Sequence, residues 1–370
     1  MISKRVIGQE IPQQILAQAL NKGRLAGTYL FYGPAGVGKF LLAWELAKIL
    51  LCEEKPSPDK ACQTCFSCLK IDMLRHPDLY LIFPHPSSYK SNEGQKEKEE
   101  REYQDFFKQT KIAEPYQFVE YSKPINISVD KIRFLKKQVY RRPFQSERKV
   151  VIIEQAESMR IDSFNALLKI FEEPPADTVI ILTTSQINRI LPTVVSRSQK
   201  IQFTPLKQET VRTQLVKELN LPEEKADYYA SLAEGSLGTA LNLASGKWGK
   251  ILELSYLLWQ SLWEKKTGQL QEIIETFNLE KDRSQILLLF RLWQHYLRVI
   301  YLAAEGIDSK LPLGQGSANS GLARKSLPPT KIHSAFQLIN QARLDFYRNI
   351  SIKSTLVWLC LALPEALVSD

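Results

Sequence analysis

The sequence predicts an α/β fold, a parallel sheet packed between helices, followed by a wholly helical region. Three observations carry this. Up to Pro205, short and continuously apolar strand patterns alternate with helical ones; strands apolar on both faces are those covered by helices on each side of a parallel sheet. One such strand, Thr28–Tyr32, runs straight into a glycine-rich turn and then a helix, Gly38–Leu51, an arrangement that aims a helix N-terminus at an anion. Beyond Pro205 the strand patterns stop and apolar residues recur at helical spacing.

In chain order, Pro12–Asn21 reads as the first helix, before the Thr28–Tyr32 strand. A cysteine-rich interruption follows the second helix, and Asp78–Phe83 reads as a strand. Ser87–Lys111 is rich in Glu, Lys and Gln and has no apolar stripe, so it is expected to be a surface excursion, partly helical or disordered. Ser128–Tyr140 reads as a helix with Ser128 at its N-cap. Lys149–Ile153 is a buried strand, Ser158–Phe171 a helix closed by Glu172-Glu173-Pro174-Pro175, and Thr178–Thr183 another buried strand. Residues 206–245 give about three short helices. Longer helices fill 248–370, interrupted by the Gly/Ser/Pro-rich loop Gly306–Pro329. Trp248, Trp259, Trp263, Trp293 and Trp358 lie in this last part at helical spacing and are expected to form its core. The resulting domain expectation is 1–205, 206–245 and 246–370.

The 370 residues, 44% hydrophobic and 24% charged, suit two or three domains with their own cores and exclude a disordered, collagenous or disulfide-stapled chain. No apolar run reaches the roughly 18 residues that span a bilayer. The opening MISKRVIGQEIPQQ lacks the apolar core of a secretory signal. Five cysteines, four of them clustered, favour a reducing cytoplasmic location. The net charge of +9 is concentrated in residues 1–205 (30 basic, 23 acidic). It is densest in Lys131–Lys149, which holds eight basic residues and one acid, Glu147. Such a stretch either pairs with nucleic-acid phosphates or forms the solvated face of a helix.

Gly33-Pro34-Ala35-Gly36-Val37-Gly38-Lys39 fits G-x-x-x-x-G-K in its strand–loop–helix setting. Gly33, Gly36 and Gly38 let backbone N–H groups converge on a phosphate, and Lys39 adds a point charge. Position 40, where Ser or Thr ordinarily ligates Mg²⁺, is Phe, and a phenyl ring cannot hold a hard cation. After the Val150–Ile153 strand, an Asp-Glu pair would orient metal and polarise water; this chain has Glu154 and Gln155, with Glu157 two residues on. Both changes argue against metal-assisted hydrolysis. Cys52, Cys62, Cys65 and Cys68, the last three spaced C-x-x-C-x-x-C, suit a closed structural Zn²⁺ site. Cys360 reads as a core residue, and the four histidines (His76, His85, His295, His333) are scattered.

Several motifs occur together: Val6-Ile7-Gly8-Gln9, the phosphate loop, the four cysteines, His76-Pro77-Asp78-Leu79, Asn165-Ala166-Leu167-Leu168-Lys169 with Glu172-Glu173-Pro174-Pro175, and Ser196-Arg197-Ser198. In this order they resemble the clamp-loader branch of the AAA+ proteins, serving bacterial DNA polymerase III. The resemblance covers about 1–245. It implies a P-loop AAA+ parallel-sheet domain with a zinc-binding insertion (52–68), a small helical lid domain and an all-α C-terminal collar domain. By the same resemblance Arg197 acts in trans on the ATP of an adjacent subunit, Thr184 takes the polar sensor position, and Gly238 stands where the lid motif carries an Arg. The chain's own hydrolytic elements are thus eroded at Phe40, Gln155 and Gly238, while Arg197 is kept, the pattern of a stator rather than of a gamma/tau-type motor. The implied ligands are structural Zn²⁺ and ATP without well-held Mg²⁺. The implied partners are gamma/tau and delta subunits, the sliding clamp and, through the complex, primed DNA. Two other readings stand beside it: an active ATPase using Glu154 and Glu157, and a DNA-binding module using Lys131–Lys149.

Overall fold

The computed structural model describes residues 2–86, 93–119, 125–263, 283–305, 327–347 and 350–368. Two compact units appear, Met1–Leu241 and Asn242–Asp370. The first is built on a five-stranded parallel sheet in the order β2-β5-β6-β1-β7, with β1 Thr28–Tyr32, β2 Leu79–Ile82, β5 Lys149–Ile153, β6 Thr178–Thr184 and β7 Gln199–Gln202. A two-residue antiparallel pair, β3 His85–Pro86 with β4 Ile125–Asn126, lies outside it.

The central strands β5 and β6 are buried throughout, as their unbroken Val/Ile runs dictate. Leu30, Val151, Ile153, Ile180 and Leu182 pack with Ile132, Leu135 and Val139 of α5 (Val129–Val139) and with Phe164, Leu167, Ile170 and Phe171 of α6 (Ile161–Glu172). Each such side chain contributes roughly 1.5–3 kcal/mol by leaving water. Helix α2 (Lys39–Leu51) is buried all round and packs on β5 and β6. Two of its buried charges are therefore paired, Glu45 with Arg5 at 3.2 Å and Lys48 with Asp72 at 2.7 Å.

Helix α1 (Glu10–Asn21) starts two residues before the expected Pro12. The helix expected from Ser158 starts instead at Ile161, because Met159 forms a bridge to Ile127 and Arg160 is extended as the cap. Strand β7 went unread from the sequence: only Ile201 of Gln-Lys-Ile-Gln is buried, the signature of an edge strand. The cysteine segment contains a short helix, α3 (Phe66–Asp72). The polar excursion is corrected at its C-terminal end. Helix α4 (Glu93–Phe107) and a π-turn, Lys108–Ile112, bring Phe107 and Lys111 into the interior; two buried side chains four residues apart at one end of a polar stretch leave too faint a period to read. Residues 87–92 of that excursion lie outside the described residues.

After β7 come α7's downstream neighbours, three short helices: α8 (Gln208–Leu219), α9 (Glu223–Leu232) and α10 (Leu237–Ala244), with α7 itself (Pro192–Arg197) preceding β7. The second unit holds α11 (Gly249–Trp263), α12 (Arg283–Ala304), α13 (Pro329–Tyr347) and α14 (Ile352–Val368). Trp259 packs on Trp293 (6.1 Å between ring centroids) and on Tyr296 (5.4 Å), and Trp293 donates its indole N–H to Ser255 O at 3.2 Å. Trp248 is buried as expected, but Trp358 is 40% exposed and is not a core residue. Burial pushes the Cys360 thiol up to about 12, which keeps it an inert apolar side chain. The side chain of Trp263 and most of the expected loop, residues 306–326, lie outside the described residues. No helix among the described residues is long and apolar enough to cross a membrane.

Candidate nucleotide loop, cysteine cluster and exposed arginine

The loop from β1 to α2 turns on Gly33, Gly36 and Gly38, with φ of +142°, +73° and +98°, values L side chains rarely adopt. Lys39 is buried, and its Nζ donates to Gly33 O (2.8 Å) and Pro34 O (2.5 Å). Burial lowers its pKa to about 8, with Glu154 and Glu157 pulling it back up. Glu154 accepts a hydrogen bond from the Thr183 hydroxyl, and Glu157 accepts from the Ser185 N–H (3.0 Å) and hydroxyl (2.6 Å). Both carboxylates follow β5, are tied to residues at the end of β6, and act electrostatically on the lysine.

Thr184 is buried at the end of β6, yet its hydroxyl accepts from Gln186 N at 3.0 Å. The residue touching Glu154 is Thr183, which sequence reasoning missed; adjacent residues of a strand face opposite ways, and that parity was the available signal. Gln155 sits in the left-handed region at φ +51° and donates its N–H to the Thr183 hydroxyl at 3.1 Å. Phe40 is buried in an aromatic cluster, 5.7 Å from Trp44 and 5.5 Å from Phe107. The turn before α10 closes on the loop: Ser236 Oγ donates to Ala35 O (2.9 Å), and Gly238 N to Gly36 O (3.0 Å).

The four cysteine sulfurs lie within 4.8 Å of one another. Cys52 Sγ is 3.5 Å from Cys62 Sγ and 3.8 Å from Cys65 Sγ, and Cys62 Sγ is 4.0 Å from Cys68 Sγ. A tetrahedral site with Zn–S near 2.3 Å has sulfurs about 3.8 Å apart, so the donor set fits that ion. Backbone N–H groups of Thr64 and Cys65 lower the Cys62 thiol to about 6, favouring the thiolate that binds metal.

Asp78 and His76 organise the segment beside this cluster. Asp78 accepts backbone N–H groups from Phe144 (2.6 Å), Gln145 (2.7 Å) and Ser146 (2.7 Å). His76 Nδ1 accepts from Asp78 N (3.1 Å), which leaves Nε2 as the protonated nitrogen facing Ser67 Oγ at 3.0 Å; Ser67 in turn donates to Glu53 (3.0 Å). Burial lowers the His76 pKa, so the native state holds fewer protons there than the unfolded chain, whose imidazole titrates near 6.5. The stabilisation is full above about pH 6.5 and is lost as pH falls below it. Urea unfolding should show His76→Gln destabilising strongly at about pH 7.5 and less at about pH 5.5; a pH-independent difference would refute this.

The basic stretch divides. Lys131, Arg133, Lys136 and Lys137 lie on α5 away from its buried Ile132, Leu135 and Val139 stripe. Lys149 is buried and donates to Val139 O and Arg141 O, closing the C-terminal end of α5. Arg197 ends α7 at the surface, its Nη1 donating to Thr193 O (3.1 Å) and its Nη2 3.2 Å from Glu172.

A parallel sheet ordered β2-β5-β6-β1-β7, a glycine phosphate loop leaving its strand β1, and short helices closing on that loop define a P-loop domain of the AAA+ type. Within that class the family model described as DNA polymerase III, delta subunit, matches residues 8–207, more than half the chain, and the protein belongs to this family. It is 30% identical over 205 residues to DNA polymerase III subunit delta' of Bacillus subtilis, covering 55% of this chain and 50% of that one. It is 33% identical over 229 residues to the Pseudomonas aeruginosa subunit delta' (62% and 58%), and 28% identical over 243 residues to the B. subtilis subunit tau (64% and 36%). The matches thus span about half the length of the delta' relatives.

Proposed function

We propose that this chain is a delta prime-type, stator subunit of a replicative clamp loader. It would sit in a ring with gamma/tau and delta subunits that places the sliding clamp on primed DNA. The observation that carries this reading is an asymmetry. In the chain's own site, Phe40 is packed among aromatics where a metal-binding hydroxyl would stand, Gln155 replaces the water-polarising acid and Gly238 replaces the lid cation. Arg197, by contrast, is presented at the surface at the end of α7. Its guanidinium is set to neutralise charge on a phosphate brought by a neighbour. Cys52, Cys62, Cys65 and Cys68 would hold a structural Zn²⁺, and the second unit's helices would form the collar.

Two measurements test this. The purified chain should show no Lys39-dependent single-turnover hydrolysis of Mg²⁺-ATP, with Lys39→Ala as control. It should enter a stable complex when mixed with gamma/tau and delta subunits. Turnover abolished by Lys39→Ala would make it a motor, and failure to assemble would remove it from the clamp loader.

A further inference from the structure

We propose that residues Phe107–Phe118 are an internal occupant of the nucleotide site, a plug that fills the phosphate-loop cradle from within the chain and excludes nucleoside triphosphates. The inference rests on reading Gly33–Lys39 as a phosphate loop and does not need the trans role of Arg197.

The close approach of Tyr116 and Phe118 to the loop is the first argument. A Cβ at Gly38 would lie 3.1–3.4 Å from the Tyr116 ring, and one at Gly36 would lie 3.1 Å from Phe118 Cζ. Aromatic carbon of Tyr116 and Phe118 thus packs directly against two of the loop's glycines, with Ser236 Oγ nearer still at Gly36, 2.4 Å from where a Cβ would lie. Tyr116 is buried, and its hydroxyl is anchored twice, accepting from Ile7 N at 2.7 Å and donating to Arg5 O at 3.0 Å. A phenol that accepts one backbone N–H and donates to a nearby carbonyl satisfies a donor–acceptor pair of the kind a purine edge would use.

The electrostatics point the same way. Lys39 turns its ammonium onto Gly33 O and Pro34 O, so the loop's own carbonyls take the charge a phosphate would need. A second buried lysine, Lys111, donates to Gln117 O at 2.9 Å and lies 5.7 Å from the centroid of the Phe40 ring, with Glu154 as the opposite charge that favours its ammonium. The charge of Glu154 thus acts on a cation supplied by the plug.

The sequence departures then acquire a common cause. Phe40 is the base on which the plug is seated: Phe107 lies 5.5 Å from it and stacks on Phe83 at 4.1 Å. Gly238 lies under Tyr116, where a Cβ would be 2.1 Å from Tyr116 O. An arginine there cannot coexist with the plug, so the lost lid cation and the gained plug are one change.

The test uses the full chain and a fluorescent nucleoside triphosphate (mant-ATP), titrated with and without Mg²⁺. Wild type should bind weakly. Tyr116→Ala combined with Phe118→Ala should bind at least about tenfold more tightly, and adding Lys39→Ala should abolish the gain. Gly238→Ala, which pushes the Tyr116 carbonyl outward while leaving the aromatics in place, should give a gain of the same sign. Should the double variant fail to fold, Tyr116→Phe, which removes only the two hydrogen bonds, carries the comparison. Tight Lys39-dependent binding by wild type, or folded variants binding no better than wild type, overturns the proposal. Assembly with gamma/tau and delta subunits, measured alongside, is unaffected by either result, so failure of the plug and failure of the stator reading are separable.

Discussion

Replacing Cys68 by serine, or removing metal with a chelator, should unfold residues 52–76 and lower stability by several kcal/mol. Cys68 is fully buried, and burial strongly raises its thiol pKa, so an uncompensated thiolate there is unfavourable and a bound metal would make it tenable. In small zinc peptides the ion supplies about 10–16 kcal/mol of folding free energy. Here that figure is an upper bound, because the module is also tied to the domain: Lys48 of α2 donates to Gln63 and Asp72 at 2.8 Å each, and Trp44 reaches Asp72 at 3.4 Å. Cys52 itself directly follows α2, so the damage should begin at the end of that helix and spread through α3 to His76, whose Ser67 partner lies on α3. The expected readings are one zinc per chain, a lower melting temperature after chelation, and loss of amide protection confined to 52–76. A chain purified without metal whose melt is indifferent to Cys68→Ser would show that the four sulfurs are merely neighbours.

The sheet was readable because burial on both faces imposes unbroken runs such as Val150–Ile153 and Val179–Leu182, and periodicity reports that directly. Edge strand β7 was not, since one buried isoleucine among Gln and Lys looks like loop. The phosphate loop and cysteines were legible because their chemistry fixes residue type at fixed spacing. Their surroundings were not. Nothing local marks Tyr116, 76 residues beyond Phe40, as the side chain that covers Gly38; only the tertiary approach joins them. Phe40 read from sequence as the loss of a ligand. In the fold it is a packing residue in the Trp44–Phe107–Phe83 cluster, a positive role that a motif comparison cannot reveal. Thr183 and Thr184 show the same limit on a smaller scale: both suit the position chemically, and only strand parity decides which hydroxyl reaches Glu154.

In a reconstituted clamp loader, Arg197→Ala should reduce ATP turnover at the neighbouring subunit's site by roughly 10³–10⁵, the range measured for arginine fingers in GTPases, while leaving assembly and the stability of this chain nearly unchanged. The two halves of that expectation come from the same geometry. Arg197 ends α7, with its side chain about 40% exposed, paired to a Glu172 that is 46% exposed. A surface ion pair of this kind contributes about 0–1 kcal/mol, so removing it leaves the fold intact and isolates the role in trans proposed for Arg197. Position is set by α7 itself, because Thr193 O, one helical turn earlier, takes the Nη1 proton at 3.1 Å. Arg197→Lys should recover little of the rate, since an ammonium keeps the charge but loses the planar fork that grips phosphate oxygens. Glu172→Gln separates the reading from a purely structural one. With its acidic partner neutralised, the guanidinium gives up less on reaching a neighbour's phosphate, so the complex should show a lower KM for ATP with kcat nearly unchanged. A variant complex that assembles and hydrolyses ATP at the wild-type rate without Arg197 would leave this side chain a surface-paired residue with no catalytic partner.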